Sequence, residues 1–532
     1  IMKRNIIATV LLLCGLTLTS CSKDFLDTAP TDALTRDQLS GSFNGMKALL
    51  DGVHNTMYNY DYYDAMGNPQ GFGVGYGSLM FKMDYLGDDF INSVPAIYMG
   101  LHRYEDHTNP YGEINERAWL FFYSIINQSS TIINSAEASK VSEKEKDYLL
   151  GQAYTFRAMS YHFLAQLFGK RYVKGGANDT PAVPLKLDGE KTDPLPRASV
   201  KEIYDQIDSD IAKALDHLSR VETQDKNQIS YSAACAIAAR VALSKQDYAA
   251  AEKYAAEGIA KKNGNIKLQT GTDLLDGFND INATEWIWGY KQASDQDQGY
   301  WGYMAHVSCN FKAWQIGGTH FAINRDIYDP MGKNDARRKW FVCADLGDKI
   351  PSGVNEELFA LGNYAGGKWS STGQQVKFWA QSSDSSRGDM QIIRLSELYY
   401  IKAEAEARQG KDAAAQKTLG EIMVTRDPEY NASQYSGEQL ISEIMRNKRI
   451  DHWGEGLRFF DIKRLGITFD RSTASNVKYL DTAAAETFRK RNTGDLVRYV
   501  PKDVNSPAWE FAIPYDEIKA AGGVIEQNPL VQ

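Results

Sequence analysis

Two stretches far apart in this chain carry one pattern. Asp247-Tyr248-Ala249-Ala250-Ala251-Glu252-Lys253 matches Lys411-Asp412-Ala413-Ala414-Ala415-Gln416-Lys417, and each follows an alanine-rich run and a short turn, Lys245-Gln246 in one and Gln409-Gly410 in the other. Small side chains let two helices cross closely, a tight turn reverses the chain, and a second alanine-rich helix lies back on the first. That is the recipe of a tetratricopeptide hairpin, whose helices must bury their faces against neighbours. The pattern commits the chain to a mainly α fold. The two units are not consecutive, so a plain solenoid is not expected.

Other helices are legible by period and by caps. Trp119, Phe122, Tyr123, Ile126 and Ile133 recur at helical spacing. Ser142-x-x-Glu145 then forms a capping box ahead of Leu149, Ala153, Phe156, Phe163, Leu164 and Leu167, and Gly169 stops that helix. A second box, Ser199-x-x-Glu202, opens a stripe of Ile203, Ile207, Ile211, Leu215 and Leu218, with a partner helix from about Ser232 to Ser244. Tetratricopeptide-like helices are therefore expected over about 112–260 and 390–466, interrupted by loop insertions at about 55–110 and 265–390. Those insertions are rich in Gly, Asn, Asp and aromatic residues, show little helical period, and contain short strand-like pieces such as Glu285 to Tyr290. Long irregular loops in a compact domain are usually functional, because nothing else offsets their ordering entropy. Residues 21–532 are long enough for one large domain or two or three ordinary ones.

At the start, Lys3 and Arg4 precede an apolar run from Ile6 to Leu18, which ends at Leu18-Thr19-Ser20-Cys21. The run has 13 residues, well short of the roughly 20 that span a bilayer. It reads as a signal peptide, residues 1–20, ending in a lipoprotein box, with cleavage before Cys21 and acylation of that thiol. Cys14 is the weaker alternative, since Leu11-Leu12-Leu13 lacks the small residues a processing site needs. Two or three acyl chains, at roughly 0.8 kcal/mol per buried methylene, would hold the mature protein on a membrane permanently. The rest of the chain is expected to work outside the cytoplasm. Ser22-Lys23-Asp24 resembles the polar-acidic signal that sends some lipoproteins to the cell surface.

A net charge of −9 argues against nucleic acid or an anionic bilayer as the main partner, since both need a basic face. Besides Cys14 and Cys21 only Cys235, Cys309 and Cys343 remain, with no C-x-x-C, which excludes a disulfide scaffold and a zinc module. A Cys309 to Cys343 bridge stays open. Signals for catalysis are poor. Gly362 to Lys368 fits G-x-x-x-x-G-K, but Trp369 stands where magnesium binding needs Ser or Thr, and no apolar strand precedes it. Gly71, Gly73, Gly75 and Gly77 alternate as in a flexible loop, and neither H-E-x-x-H nor G-x-S-x-G occurs. His102 and His107, flanking Glu105 and Asp106, could hold a metal from a loop. A structural calcium on loop carboxylates is allowed but has no location.

Aromatic residues crowd the insertions. Seven of the ten Trp lie from Trp286 to Trp379, and Trp286 to Phe321 holds nine aromatics in 36 residues against 11% overall. The first insertion is similar, with Tyr58, Tyr60, Tyr62, Tyr63, Phe72, Tyr76, Phe81, Tyr85, Phe90, Tyr98 and Tyr104. Tyr and Trp among polar, glycine-rich neighbours suit a ligand with one apolar face and many hydroxyls, such as a sugar. The same rings could instead build satellite cores under long loops. On the first reading, Tyr76, Tyr98, Tyr300, Trp301 and Trp314 are the expected ligand rings, with Asp88 and Arg103 as polar contacts. Such loops also grip extended peptides, and a peptide ligand is the alternative. An extracellular glycoside hydrolase is a remote third reading.

Four ordered blocks resemble a known family. The run Gln152 to Gly169, with Arg157-Ala158, Tyr161, Phe163, Leu167 and Phe168-Gly169, followed by Pro181, Val183 and Pro184-Leu185, looks like the block from R-A-x-x-Y-F to F-G and V-P-L of SusD/RagB nutrient-binding lipoproteins. Arg394 to Tyr399 with Lys402 to Ala405, Trp453 to Arg464, and the tail Phe511 to Pro514 with Gln527-Asn528-Pro529 agree in order. Asn447 departs from the family, which usually has an acidic residue there. Arg157, Glu397, Glu404, Glu455, Arg458 and Asp461 are expected to join the helical frame by buried ion pairs rather than to mark a ligand. The resemblance implies a single domain over residues 21–532, with four tetratricopeptide-like hairpins on one side and variable ligand-binding loops. It also implies non-catalytic binding, no cofactor, and a SusC-like, TonB-dependent outer-membrane barrel as partner. On that barrel the protein would sit as a lid at the cell surface, delivering oligosaccharide or, in RagB-like fashion, oligopeptide.

Overall fold

The computed structural model describes residues 41–59, 75–92, 99–189, 191–223, 225–299, 302–311, 321–355, 372–479 and 501–531. The signal peptide and Cys21 fall outside these residues. The long helices are α1 (Phe43–Asn59), α2 (Gly75–Asp84), α3 (Glu113–Ala138), α4 (Glu143–Phe168), α5 (Val200–Leu218) and α6 (Tyr231–Ser244). They continue with α7 (Tyr248–Ala260), α8 (Leu395–Arg408), α9 (Asp412–Arg426), α10 (Gly437–Asp451) and α11 (Arg458–Leu465). The expected helical blocks at about 112–260 and 390–466 are occupied by α3 to α7 and α8 to α11.

Local chemistry explains the boundaries. Ser142 and Ser199 each accept a hydrogen bond from the backbone N–H three residues on, while Glu145 and Glu202 reach back to the cap N–H, so both capping boxes form. Gly169 ends α4 at an ordinary negative φ of −100°. Glycine is required there by space, since a Cβ would stand 2.8 Å from the Ala165 carbonyl and 3.0 Å from the Ala182 side chain. The stripes of α3, α4 and α5 are buried as expected, apart from a half-buried Leu215. At roughly 2 to 3 kcal/mol for each large side chain, that burial is what holds these helices together.

The alanine repeat closes the frame. α3 packs on α4, α4 on α5, α6 on α7 and α8 on α9, and α7 packs on α8 across the long second insertion. The two similar hairpins are thus neighbours in space. Gly258 sits at their crossing, where a Cβ would lie 2.9 Å from a Leu398 methyl and 3.1 Å from the Cys235 Cβ. Gln246 and Gly410 hold the same place in the two turns and both take left-handed backbone, φ 58° and 73°.

The insertions are more structured than their composition suggests. The first contains α2, which is buried on every side, so it lacks the one-sided period that reveals a surface helix. Gly75 and Gly77 belong to this helix and not to a flexible loop. Gly75, at φ 70°, lies against the Tyr58 carbonyl, and Gly77 against Tyr303 and Met390. β1 (Phe90–Asn92), β5 (Phe321–Ile323), β7 (Thr372–Gln375) and β6 (Phe341–Cys343) form an antiparallel sheet in that order. β2 (Pro181–Pro184) pairs with β3 (Arg197–Ser199), and β4 (Trp286–Tyr290) with β8 (Met390–Arg394), which runs straight into α8.

A balanced set of buried charges ties the second insertion to the helices. Arg394 donates to Glu285 at 2.6 Å and to Glu455 at 2.7 Å, and Arg426 donates to Glu285 at 2.9 Å and Asp451 at 2.8 Å. Arg337 pairs with Asp335 at 2.7 Å, and Lys377 with Glu455 at 2.7 Å. Burial opposes the charge on Asp451, but Arg426, Arg394 and Arg337 overcome it and hold that carboxyl well below its usual range. Asn447 accepts from Arg337 at 2.8 Å, so it supplies the acceptor while Asp335 supplies the charge. The motif residues behave as expected. Arg157 grips Asp210 through two 2.8 Å bonds, joining α4 to α5. Glu397 takes Arg240 at 2.6 Å, Glu404 takes Arg464 at 2.6 Å, and Asp461 takes Lys448 at 2.8 Å.

Candidate functional site

The described aromatic residues of the insertions are mostly core. Trp286 and Trp288 are fully buried, and Trp340, Tyr290, Tyr303, Phe311 and Phe321 are buried with them. In the first insertion Phe81, Tyr85, Phe90 and Tyr104 are buried too, and Phe81, Tyr85 and Phe90 gather around Phe321 at ring separations of 4.8 to 5.7 Å. The expectation that these crowded rings face a ligand is therefore corrected wherever they are described. Aromatic density built the sheet's cores.

Individual residues divide in the same way. Tyr76 is corrected as a ligand ring. It is 3% exposed within α2, edge-on to Phe163 at 5.8 Å, with burial raising its hydroxyl pKa against the opposing pull of the nearby Arg240 charge. Asp88 is also corrected. Its carboxylate binds Arg458 at 2.6 Å and Arg449 at 3.0 Å, and although burial opposes it, those guanidiniums hold it below its ordinary pKa. Arg103 stays partly exposed beside Glu105 at 3.0 Å, so the outer part of its guanidinium is within reach of a ligand. Tyr98, Tyr300, Trp301 and Trp314 lie outside the described residues, as does the Gly362 to Lys368 run.

The frame around those four is described. β1 leaves its sheet at Asn92 and β5 enters it at Phe321, and these two residues are register partners. Antiparallel partners sit about 5 Å apart, so Asn92 and Phe321, the described residues that border the stretches holding Tyr98 and Trp314, lie side by side at one sheet end. Gln298 donates to the Tyr58 carbonyl and to Asn59, both at 3.1 Å, and so pins the approach to Tyr300 and Trp301 against the end of α1. Asp297, just before it, accepts from Ser385 at 2.6 Å and Ser386 at 2.8 Å.

A cleft of about 430 Å³ opens in the second insertion, lined by Leu275, Tyr328, Arg338, Lys339, Lys349 and Trp379 among others. Its half-buried indole, Trp379, donates its N–H to the Val376 carbonyl at 2.9 Å, so the ring surface is what it offers a ligand. Two glycines with positive φ make room for that ring. A Cβ on Gly277 would stand 2.8 Å from the Trp379 Cβ and 3.2 Å from its ring, and one on Gly353 3.3 Å from the ring. Behind it, Lys377 is fully buried, with its ammonium 4.6 Å from the Phe278 ring and 4.8 Å from Trp340, and burial lowers its pKa to about 8. The sequence reading passed over this cleft. The signal was present in Arg337-Arg338-Lys339, a basic run in an acidic chain, close to the Trp-rich stretch.

The two metal and disulfide possibilities are also resolved. The His102 Nδ1 faces the Tyr85 carbonyl and the His107 Nε2 the Ala508 carbonyl, each buried, which corrects the loop metal site. No group of three or more His, Cys, Asp or Glu side chains among the described residues is arranged to hold a metal ion. Cys309 and Cys343 are buried free thiols, not a bridge, and burial raises the pKa of both. No described helix is long and apolar enough to cross a membrane.

Comparison with known proteins agrees with this architecture. Residues 24–243 match a family described as SusD-like, starch-binding and associating with the outer membrane, and residues 245–530 match the SusD family. A SusD-like protein of Bacteroides ovatus is 24% identical over 197 residues, covering 34% of this chain and 31% of that relative. A SusD superfamily protein from Bacteroides thetaiotaomicron superposes with a TM-score of 0.72 at 21% identity, over 92% of this chain and all of that one. Surface glycan-binding protein A from the same organism, solved with laminarihexaose, superposes with a TM-score of 0.64 at 15% identity, over 91% of this chain and 99% of its own. With family matches running nearly end to end on a tetratricopeptide-like frame, the chain belongs to the SusD family.

Proposed function

We propose that this protein is an outer-membrane lipoprotein, anchored through Cys21 and facing the cell exterior, that captures oligosaccharide or polysaccharide without cleaving it. It passes its catch to a SusC-like, TonB-dependent barrel and acts as the lid of that barrel. Family membership carries this reading, and the neighbour holding laminarihexaose supports a sugar over a peptide. Binding without hydrolysis rests on the same family membership. Glycoside hydrolysis uses a pair of carboxyl groups roughly 5 to 10 Å apart. The cleft is lined by one carboxylate, Asp348, and the buried carboxylates Asp88, Glu285, Glu397, Glu404, Asp451, Glu455 and Asp461 each face an Arg or Lys.

The contact set proposed is Tyr98, Tyr300, Trp301 and Trp314, with Arg103 as a polar partner. Affinity electrophoresis in gels containing a panel of polysaccharides tests it. The parent protein is expected to be retarded in at least one gel, and a Trp301→Ala, Trp314→Ala variant to run freely there. No retardation in any gel, with binding to a peptide library instead, would replace the sugar reading by the peptide one. Detergent extraction of the intact outer membrane should bring a TonB-dependent barrel down with the protein, and its absence would remove the lid role.

A further inference from the structure

Many arginines of the described interior, Arg157, Arg337, Arg394, Arg426 and Arg464 among them, face a carboxylate, and the cleft at Trp379 departs from that. Lys339 and Lys349 stand exposed on its lining and pair with no carboxylate among the described residues. Arg338 beside them donates through Nη1 to the Met331 carbonyl at 3.2 Å and lies 4.5 Å from the Tyr328 ring, and it too lacks a carboxylate partner among those residues. Against these three cations the lining holds, among the described residues, one carboxylate, Asp348, one of whose oxygens accepts from the Cys343 backbone N–H at 2.9 Å. The whole chain carries a net charge of −9, so a cleft of this sign is a local reversal. The apolar side of the cleft is as definite. Trp379 is fixed by its own hydrogen bond and by Gly277 and Gly353, and Leu275 and Pro351 complete a wall.

A flat indole beside unpaired ammonium and guanidinium groups suits one chemical class. The ring covers the C–H face of a pyranose, and the cations meet a negative substituent on the same or the next sugar. We infer that this cleft is a subsite for acidic saccharide, a pyranose chain bearing carboxylate or sulfate. The inference rests on the glycan-capture reading and adds to it the charge of the glycan. Like charges that line one cleft repel one another, and an anionic ligand relieves that repulsion where a neutral sugar does not. Specificity then follows from electrostatics, with the ring supplying affinity common to both kinds of sugar.

Calorimetric titration of the soluble mature protein, from residue 22 on, tests this with four probes. They are oligogalacturonate, its carboxyl-reduced counterpart, an oligosaccharide of dextran sulfate, and polyglutamate. Oligogalacturonate or the sulfated oligosaccharide, or both, should bind at least about ten-fold more tightly than the carboxyl-reduced chain, and more weakly as salt is raised. Which of the two wins distinguishes carboxylate from sulfate. A Lys339→Ala, Lys349→Ala variant should lose about ten-fold for the acidic probe and keep its affinity for the reduced one, whereas Trp379→Ala should weaken both. Equal affinity for charged and reduced chains, or no effect of the double lysine change, would overturn the inference while leaving glycan capture standing. Polyglutamate binding as tightly as the acidic sugars would overturn it by showing a patch that reads charge alone. No sugar binding at all would instead sink the reading beneath it. Thermal melting of each variant confirms the fold, and both lysines are exposed, so their replacement leaves packing intact.

Discussion

Asp88 shows how a polar residue beside a loop can belong to the frame. Its carboxylate holds Arg449 and Arg458 at once, so Asp88→Asn leaves two largely buried guanidiniums short of a counter-charge. The expected cost is about 3 kcal/mol in chemical denaturation, with glycan affinity unchanged. A weakened affinity at unchanged stability would return Asp88 to the ligand site. His162 offers a second test at this scale. Burial first, then the nearby Arg240, lowers its pKa to about 3, and its Nε2 bonds Ser244 at 2.9 Å. A folded pKa below the unfolded one, near 6.5, means that the folded state binds fewer protons, so this histidine's contribution is present at neutral pH and lost on acidification. The loss is up to about 1.4 kcal/mol per pH unit between roughly 6.5 and 3. The stability gap between the parent and His162→Gln should therefore shrink as pH falls from 7 to 4.5, and a constant gap would contradict the buried neutral ring.

Elements were readable in the sequence where one face is wet, as in α3 and α5, or where a capping box marks the start, as in α4, which is buried all round from Leu149 to Phe168. α3, α4 and α5 announced themselves through a stripe and, for α4 and α5, a capping box. α2 gave no such sign, because it is buried all round and its glycines imitate a loop. The four-stranded sheet was illegible for a related reason. Each strand has only three or four residues, buried on both faces, too few for an alternation to be seen. Aromatic density was a true signal with the wrong address, since a crowded ring can be a core ring or a ligand ring, and only burial separates them. The turn and crossing residues of the repeat were clear from composition, and they carry a prediction. Gly258→Ala puts a methyl against Leu398 and Cys235 and should cost about 1 to 3 kcal/mol. At Gly264, where nothing lies within 4 Å, the same change should stay within about 0.5 kcal/mol. Equal effects at the two sites would contradict the close packing of α6, α7 and α8.

At the scale of the whole molecule, the helices form a frame tied together by buried ion pairs, while the insertions carry both a sheet and the segments that leave it. The frame therefore specifies where the segments proposed to bind a ligand start and end without specifying what they would bind. That division explains why the family was legible from Arg157, Glu397, Glu455 and Arg458, all of which lie in the frame, whereas the cleft at Trp379 was not. Its residues come from four separated stretches, Leu275, Tyr328 to Val342, Asp348 to Pro351 and Val376 to Trp379, and only folding brings them together. A frame stabilised in this way should also tolerate change at its loops. Trp301→Ala and Trp314→Ala are expected to move the melting temperature by no more than a degree or two while removing glycan binding. A large drop in melting temperature would place those indoles in the core with Trp286 and Trp288.

The most direct measurement is to incubate the soluble mature protein with each polysaccharide of a panel, titrate the binding, and then size the polymer by chromatography. Saturable binding to at least one glycan, with its chain length unchanged after prolonged incubation, is the expected result. Binding to peptides alone, or a shortened polymer with new reducing ends, would contradict the account.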